Sequence, residues 1–196
     1  MVRNPERRAA LVDAGVEVLA AEGARGLTFR AVDTAAGVPT GTSSNYFANR
    51  DDLLHQIDAR LHQRLAPDPA AVEKLLARPR DRALVTAFMH DLMGRAQRDR
   101  TGFLALLEMR LEAGRRPELR ASLTTSLRGD LDEGIAFHTR AGLPGGAEEV
   151  TLIYLGMLGL ILEHLTMPGM LDGAIPGASV PDGVVARLVE RILPGE

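Results

Sequence analysis

A short cluster of small hydroxyl residues lies between Pro39 and Asn45. Hydroxyl groups can donate to phosphate oxygens, and Gly41 within the cluster lets a backbone come close to a partner. Asn45 carries the donor and acceptor fork that reads adenine. Catalysis by a nucleophilic serine is the competing chemistry, but no neighbouring histidine supports it. The cluster is therefore a candidate for contact with nucleic acid, although a solvated turn without a partner is the simpler interpretation of the stretch taken alone. Its hydroxyl members are Thr40, Thr42, Ser43 and Ser44.

A second set of polar residues has the types that bind metal ions. His55, Asp58 and His62 follow the spacing i, i+3, i+7 on one face of a predicted helix. Imidazole and carboxylate groups suit zinc or a similar divalent ion. Two turns of helix separate the histidines, however, a distance of about 10 Å that is too long for one ion. We interpret this row as a solvated polar face and predict no metal.

Motifs of the common enzyme classes are absent from the sequence. It has no cysteine, which excludes disulfides, thiolate catalysis and Cys-based zinc sites. It also has no Gly-rich phosphate loop, no G-x-S-x-G and no HExxH. The sequence thus predicts neither an enzyme nor a cofactor.

Four helices are predicted around the hydroxyl cluster. Leu11, Ala14, Val18 and Leu19 repeat with the period of an amphipathic helix. A second, short helix begins after a Thr28 cap and ends at Gly37. Pro39 is placed to start a third helix over about 39–46, which would carry the hydroxyl cluster. Asn49 is placed to cap a fourth, over about 50–65.

The remaining sequence predicts only helices, because no stretch alternates apolar and polar residues as a strand does. The most apolar run, 152–162, is too short to cross a bilayer and predicts a buried helix. We place a domain boundary after residue 50, giving domains 1–50 and 51–196. The predicted helices of the second domain, after the one at 50–65, cover 70–77, 81–98, 101–114, 117–141, 146–167 and 182–193.

The charge of the chain gives weaker guidance. The net charge is −3, and residues 1–50 carry six arginines against five acidic residues. This net charge of +1 is small for a DNA-binding segment. The N-terminus has no continuous apolar core and is not a signal peptide. We therefore expect a cytoplasmic protein without a membrane partner.

Residues 7–54 resemble the DNA-binding domain of TetR-family transcriptional repressors. The matching motifs are "GLT" at 26–28, "AGV" at 36–38, "GT" at 41–42 and "YF" at 46–47. Arg50 matches the basic residue that opens the next helix, where lysine is commoner. The family usually has an apolar residue and a tyrosine after Gly-Thr, and here Ser43 and Ser44 replace them.

The resemblance implies an all-α fold, with an N-terminal three-helix helix-turn-helix domain and a C-terminal helical domain for ligand binding and dimerisation. It places Phe47 in the core. The DNA-facing residues that it implies are Thr28, Arg30, Thr40, Gly41, Thr42, Ser44, Asn45, Tyr46 and Arg50.

The resemblance also implies a homodimer built on the helices at about 117–141 and 146–167. The second of these is apolar nearly all round, so we expect it to be buried on both sides. Large apolar residues are candidates for an effector pocket, although for any single one a core role is the simpler interpretation. The apolar candidates are Phe88, Met89, Leu92, Phe103, Leu107, Phe137, Tyr154 and Met157, and the polar ones are Glu108, Arg110, His138 and His164.

Together these features predict a ligand-responsive, dimeric repressor. It would bind a palindromic operator in double-stranded DNA and be released by an unknown small-molecule effector. A helical ligand-binding or scaffold protein that lacks DNA binding is the alternative, and the weak positive charge of residues 1–50 supports it.

Overall fold

A computed structural model of the chain describes residues 4–193, and within them the only regular elements are helices. The predicted all-α fold class is confirmed. The nine α-helices of the described residues are α1 Pro5–Gly26, α2 Phe29–Ala35, α3 Arg50–Leu65, α4 Pro69–Leu76, α5 Arg82–Arg98, α6 Arg100–Ala113, α7 Pro117–Arg140, α8 Ala147–Thr166 and α9 Asp182–Ile192, and a single 3₁₀ turn covers Ser43–Asn45.

The chain divides into two compact units. Unit 1 combines residues 1–66 with 99–125, and unit 2 combines 67–98 with 126–196. The domain boundary predicted after residue 50 does not coincide with this division. The reason is that α3 packs against α1, and α6 packs along both helices although it comes much later in the chain.

The core of unit 1 is built on the predicted apolar face of α1. Leu11, Val18 and Leu19 are buried there, as are Leu53 and Ile57 of α3. Phe47 is also buried, with its ring centroid 6.2 Å from that of Phe29, as its predicted core position requires. Helix α1 contacts α2, α3 and α6, so it forms the centre of this unit.

Short polar residues fix the starts of these helices. The Oδ1 atom of Asn4 accepts from the amides of Glu6 and Arg7, and Pro5 follows as the first helical residue. Thr28 Oγ1 accepts from the amide of Ala31, and Asn49 Oδ1 accepts from the amide of Asp52. The caps predicted at Thr28 and Asn49 are therefore present.

The turn after α2 depends on Gly37, which has φ 65°. The amide of Gly37 donates to Thr34 O at 3.1 Å, and the amide of Val38 donates to Asp33 O at 3.0 Å. This pair of bonds is the Schellman motif, which needs a left-handed residue at its turn. The predicted role of Gly37 in ending the second helix is confirmed.

The predicted helix at 39–46 is wrong. In this stretch, which we call the recognition segment, Pro39–Thr42 forms a turn and only Ser43–Asn45 is helical, as one 3₁₀ turn. Gly41 has φ 92°, which no helix accommodates, so a helix cannot run on from Pro39. The amides of Asn45 and Tyr46 instead donate to Thr42 O and Ser43 O, three residues back.

An ion pair joins α3 to the start of α6 within unit 1. Arg64 donates to Asp99 from Nε at 3.0 Å and from Nη2 at 2.6 Å. Asp99 also caps α6 by accepting from the amide of Gly102 at 2.9 Å. The hydrogen bond from Arg64 is the main reason that the pKa of Asp99 lies below its ordinary value, and the same bond raises the pKa of Arg64.

Unit 2 is centred on the packing of α5, α8 and α9. Met93 of α5, Ile153 and Met157 of α8, and Val185 and Val189 of α9 are buried. Helix α8 is longer than the apolar run that predicts it, and its length and composition alone would allow it to cross a membrane. A core helix passes the same test, and α8 packs on α5 and α9 through one face.

Candidate nucleic-acid interface and ligand domain

The recognition segment is held in place by one buried carboxylate, Asp33 of α2, which is 1% exposed. Its Oδ2 atom accepts from the amide of Gly41 at 2.7 Å. Its Oδ1 atom accepts from the amide of Ser43 at 2.7 Å and from the Ser43 hydroxyl at 2.5 Å. Ser43 is completely buried, so its hydroxyl serves the fold and does not face a partner.

Sequence reasoning missed Asp33 because a charge on a short helix is usually solvated. One signal was present: Asp33 lies four residues after Phe29 and three before Ala36, so it shares a helix face with these two apolar residues. A carboxylate on that face needs buried donors, and the recognition segment supplies them.

The two side chains at the tip of the recognition segment are exposed and share one acceptor. Ser44 Oγ donates to Gly41 O at 2.7 Å, and Asn45 Nδ2 donates to the same oxygen at 3.1 Å. These bonds leave the Ser44 lone pairs, Asn45 Oδ1 and one Asn45 N–H available to a partner. Both side chains are therefore preorganised on an exposed surface.

The other predicted DNA-facing residues fall into two groups. Thr28, Arg30, Thr40 and Gly41 are exposed, whereas Thr42 and Tyr46 are half-buried. Thr42 Oγ1 donates to Pro39 O at 2.5 Å. Their assignment to DNA stays a prediction.

Arg50 is placed differently from an exposed phosphate-binding residue. Its guanidinium donates to the Ala24 carbonyl and pairs with Glu112 of α6 at 3.4 Å. Glu112 also lies 3.6 Å from Arg116, which in turn pairs with Asp51. In this conformation Arg50 joins the start of α3 to the ends of α1 and α6.

Arg8, on α1, was not singled out from the sequence and contacts the end of the recognition segment. It donates from Nη2 to the Tyr46 carbonyl at 2.9 Å and from Nη1 to Gln56 Oε1 at 2.8 Å. Its guanidinium carbon also lies 5.7 Å from the centroid of the Phe47 ring, within range of a cation–π interaction. Arg8 thus ties α1, α3 and the recognition segment together.

Replacing Arg8 by alanine is expected to lower the free energy of unfolding by about 1–2 kcal/mol, because two hydrogen bonds and the ring contact are lost. Urea denaturation followed by circular dichroism measures this change. Arg7→Ala is the matched control, because Arg7 is an exposed neighbour on the same helix. Equal stability of the two variants would show that the Arg8 contacts contribute nothing.

The predicted effector-pocket residues are divided between the two units. Phe103 and Leu107 belong to unit 1, as do Glu108 and Arg110, and the other predicted pocket residues belong to unit 2. Within unit 2, the rings of Phe88 and Phe137 meet edge to face with centroids 5.6 Å apart. The apolar residues of unit 2 in the predicted set are Phe88, Met89, Leu92, Phe137, Tyr154 and Met157.

The two predicted pocket histidines both have backbone or side-chain partners. His138 is buried, and its Nε2 atom lies 2.8 Å from Pro144 O. His164 Nε2 lies 3.4 Å from Gln97 Nε2. Unit 2 also has a groove of about 1170 Å³ that none of the predicted pocket residues lines. Its charged lining is mixed, with Arg78, Arg82, Glu149 and Glu190.

One side of α8 is apolar and exposed. Leu152, Leu155 and Leu162 are 46%, 55% and 39% exposed. Gly159 lies on the same side, with open space where a Cβ atom would be. The expectation that α8 is buried on both sides is therefore met on one side only, within a single chain.

The row of possible metal ligands on α3 is less solvated than its pattern predicts. Asp58 is buried. The Nδ1 atom of His62 lies 3.1 Å from the backbone oxygen of Asp58 and 3.7 Å from Asp58 Oδ1. His55 is exposed, with Nδ1 3.4 Å from Ser122 Oγ. The interpretation of this row as a solvated face is wrong for Asp58, because that residue turns toward the interior of unit 1.

Comparison with known proteins agrees with this architecture. Residues 11–57 match the family model described as "Bacterial regulatory proteins, tetR family", and residues 80–195 match the "Tetracyclin repressor-like, C-terminal domain". The HTH-type transcriptional regulator BetI of Rhizobium meliloti (strain 1021) is 34% identical over 79 residues. That match covers 40% of this chain and 39% of BetI.

Solved structures match the chain over nearly its whole length. The multidrug binding protein EbrR, complexed with imidazole, gives a TM-score of 0.70 at 25% identity, covering 98% of each chain. EbrR complexed with ethidium gives a TM-score of 0.64 at 24% identity, and the match covers 96% of this chain and 99% of EbrR. A TetR-family member from Streptomyces coelicolor A3 gives 0.72 at 24% identity, over 97% of this chain and 100% of the other.

The short helices, the glycine turn and the family match at 11–57 define a helix-turn-helix transcriptional regulator. The chain belongs to the tetR family of bacterial regulatory proteins, as the combined matches over residues 11–57 and 80–195 show. This family consists of regulators and not of enzymes, and its C-terminal domain binds ligands.

Proposed function

We propose that the protein is a homodimeric, cytoplasmic repressor that binds a palindromic DNA operator and is released by a small-molecule effector. The observation that carries this proposal is the recognition segment. It presents Ser44 and Asn45 on an exposed turn that hydrogen bonds to the buried carboxylate of Asp33 hold in place. A segment that recognises bases by hydrogen bonds to their edges needs exposed polar groups on a fixed backbone.

The dimer follows from the exposed apolar side of α8. An apolar strip formed by Leu152, Leu155 and Leu162 is costly to leave in water and suits a second copy of the same helix. Two copies related by a two-fold axis would place two recognition segments in major grooves one helical turn apart, roughly 34–36 Å. A palindromic operator matches that symmetry.

The effector proposal rests on aromatic residues in unit 2. Phe88 and Phe137 pack edge to face in unit 2, and Tyr154 belongs to the same unit. Aromatic side chains of this kind suit an aromatic ligand. The likeness to the multidrug binding protein EbrR at 25% identity supports the same class of ligand.

Release from DNA requires that the effector bind the two conformations of the protein with unequal affinity. Within unit 1, α6 packs on α1 and α3, and its residue Glu112 pairs with Arg50 at the start of α3. A shift of α6 would therefore move the start of α3, which directly follows the recognition segment. The change would alter the spacing of the two recognition segments in the dimer.

DNA binding is tested by gel shift of the purified protein on DNA from upstream of its own gene, at several salt concentrations. We expect a specific complex that weakens as salt rises, and Asn45→Ala should weaken it by about tenfold. Unrelated DNA of the same length is the control. No specific complex at low salt would contradict the repressor and favour the ligand-binding or scaffold alternative.

Effector release is tested with ethidium as the probe, since it is a planar aromatic compound with its own fluorescence. We expect ethidium to bind the protein in the absence of DNA and to lower operator affinity, and Phe137→Ala to reduce both effects. Because ethidium also intercalates into DNA, only the part of the affinity loss that Phe137→Ala removes reports release by the protein's ligand site. Ethidium binding that leaves operator affinity unchanged would contradict release by a ligand of this class.

A further inference from the structure

Three hydrogen bonds to Asp33 join α2 to Gly41 and Ser43 of the recognition segment. The carboxylate bridges two positions of the segment, with Oδ2 on the amide of Gly41 and Oδ1 on the amide and hydroxyl of Ser43. The Asp33 side chain and Ser43 are buried, which limits the access of water to their two bonds, whereas the bond to the exposed Gly41 is part-buried. The conformation of Gly41 is therefore fixed from α2.

Gly41 passes this constraint on to the outward-facing residues. Its carbonyl oxygen accepts both the Ser44 hydroxyl and one Asn45 N–H. With its hydrogen occupied, the Ser44 hydroxyl presents only lone pairs to a partner. The exposed tip is thus richer in acceptors than its composition suggests, with Ser44 Oγ and Asn45 Oδ1 both available.

We propose that Asp33 is a positioning residue for DNA readout, and that through Gly41 it orients Ser44 to accept a hydrogen bond from a base amino group. In the major groove that group is N6–H of adenine or N4–H of cytosine. This inference rests on the proposed DNA-binding function and specifies its mechanism. Asp33 itself does not touch DNA, since it is buried behind the segment.

Replacing Asp33 by asparagine keeps the shape of the side chain but turns one acceptor into an NH₂ donor. That donor would face the amide of Gly41 or the donors of Ser43, so the bridge across the turn is broken. Ser43→Ala removes one of the three bonds and leaves the two amide bonds in place. Ser43→Ala should therefore also reduce base discrimination, but by less than Asp33→Asn does.

The experiment selects operators from a randomised library with the wild-type dimer and then measures specific and nonspecific affinity for each variant. Ser44→Ala is expected to lose base discrimination at one position of the operator. At that position the wild-type protein is expected to prefer adenine or cytosine. Asp33→Asn is expected to lose roughly tenfold in discrimination at that same position, while nonspecific affinity stays within about twofold. Thr34→Ala is the matched control, because Thr34 is exposed and its hydroxyl donates only to Arg30 O within α2.

Hydrogen exchange of the Gly41 and Ser43 amides separates positioning from a general loss of stability. Faster exchange at these two amides in Asp33→Asn, with core amides of α1 unchanged, supports the proposal. A variant that keeps wild-type base discrimination while folded overturns it. A variant whose specific and nonspecific affinities fall together with its folded fraction also overturns it, because Asp33 would then be only structural. If wild type itself selects no sequence, the proposed function fails, and the exchange data still report whether Asp33 fixes the turn.

Discussion

Leu155→Arg is expected to convert the protein from a dimer into a monomer. Leu155 is the most exposed leucine of the apolar side of α8, at 55%. An arginine there is solvated in a free monomer but would be buried without a partner in a two-fold interface. Analytical ultracentrifugation at micromolar concentration measures the change directly.

The same variant is expected to bind the operator at least about 100-fold more weakly, because a monomer loses the gain from engaging two half-sites at once. Leu111→Arg is the matched control, since Leu111 is 60% exposed on α6 and lies outside this strip. The control should remain dimeric. A Leu155→Arg protein that still sediments as a dimer would place the interface elsewhere.

Asp99→Asn is expected to lower the free energy of unfolding by about 2 kcal/mol at neutral pH, through loss of a charge-assisted pair with Arg64. Asparagine can still accept from the Gly102 amide, so the substitution isolates the ion pair from the helix cap. Urea denaturation gives the difference. Asp132→Asn is the matched control: Asp132 pairs with Arg128 at 2.9 Å, but both side chains are largely exposed, so little change is expected.

The pH dependence of this difference has a definite sign. The pKa of Asp99 is lowered in the folded protein, chiefly by the hydrogen bond from Arg64. The stabilisation is therefore fully present above the unfolded-state pKa of about 3.9 and is lost as pH falls through the lower folded-state value. The free energies of unfolding of wild type and Asp99→Asn should differ most near neutral pH and become equal in acid. A gap that widens in acid would contradict the assignment.

The sequence allowed the helices to be placed because their ends are local features. Thr28, Gly37 and Asn49 act through neighbours at most a few residues away, and each performs its predicted role. Packing between distant segments was not predictable in this way. Nothing in residues 100–113 indicates that α6 belongs with α1, or that Glu112 pairs with Arg50.

The recognition segment shows the same limit at the candidate site. Its polar composition and the exposure of Ser44 and Asn45 followed from the sequence. Its backbone did not, because the φ of Gly41 and the burial of Ser43 depend on Asp33, eight and ten residues earlier. Ser43 therefore differs from Ser44 in role, although the two are adjacent and chemically identical.

The composition of unit 1 has a consequence for protein engineering. The segment 99–125 lies more than thirty residues beyond the rest of the unit, yet its helix α6 packs on α1 and α3. A chimera joined at residue 66 would transfer the N-terminal part of unit 1 without α6. The apolar side of α1 that α6 covers would then be exposed. Exchange of operator preference between relatives therefore calls for a two-segment graft that carries 99–125 along with the N-terminal residues.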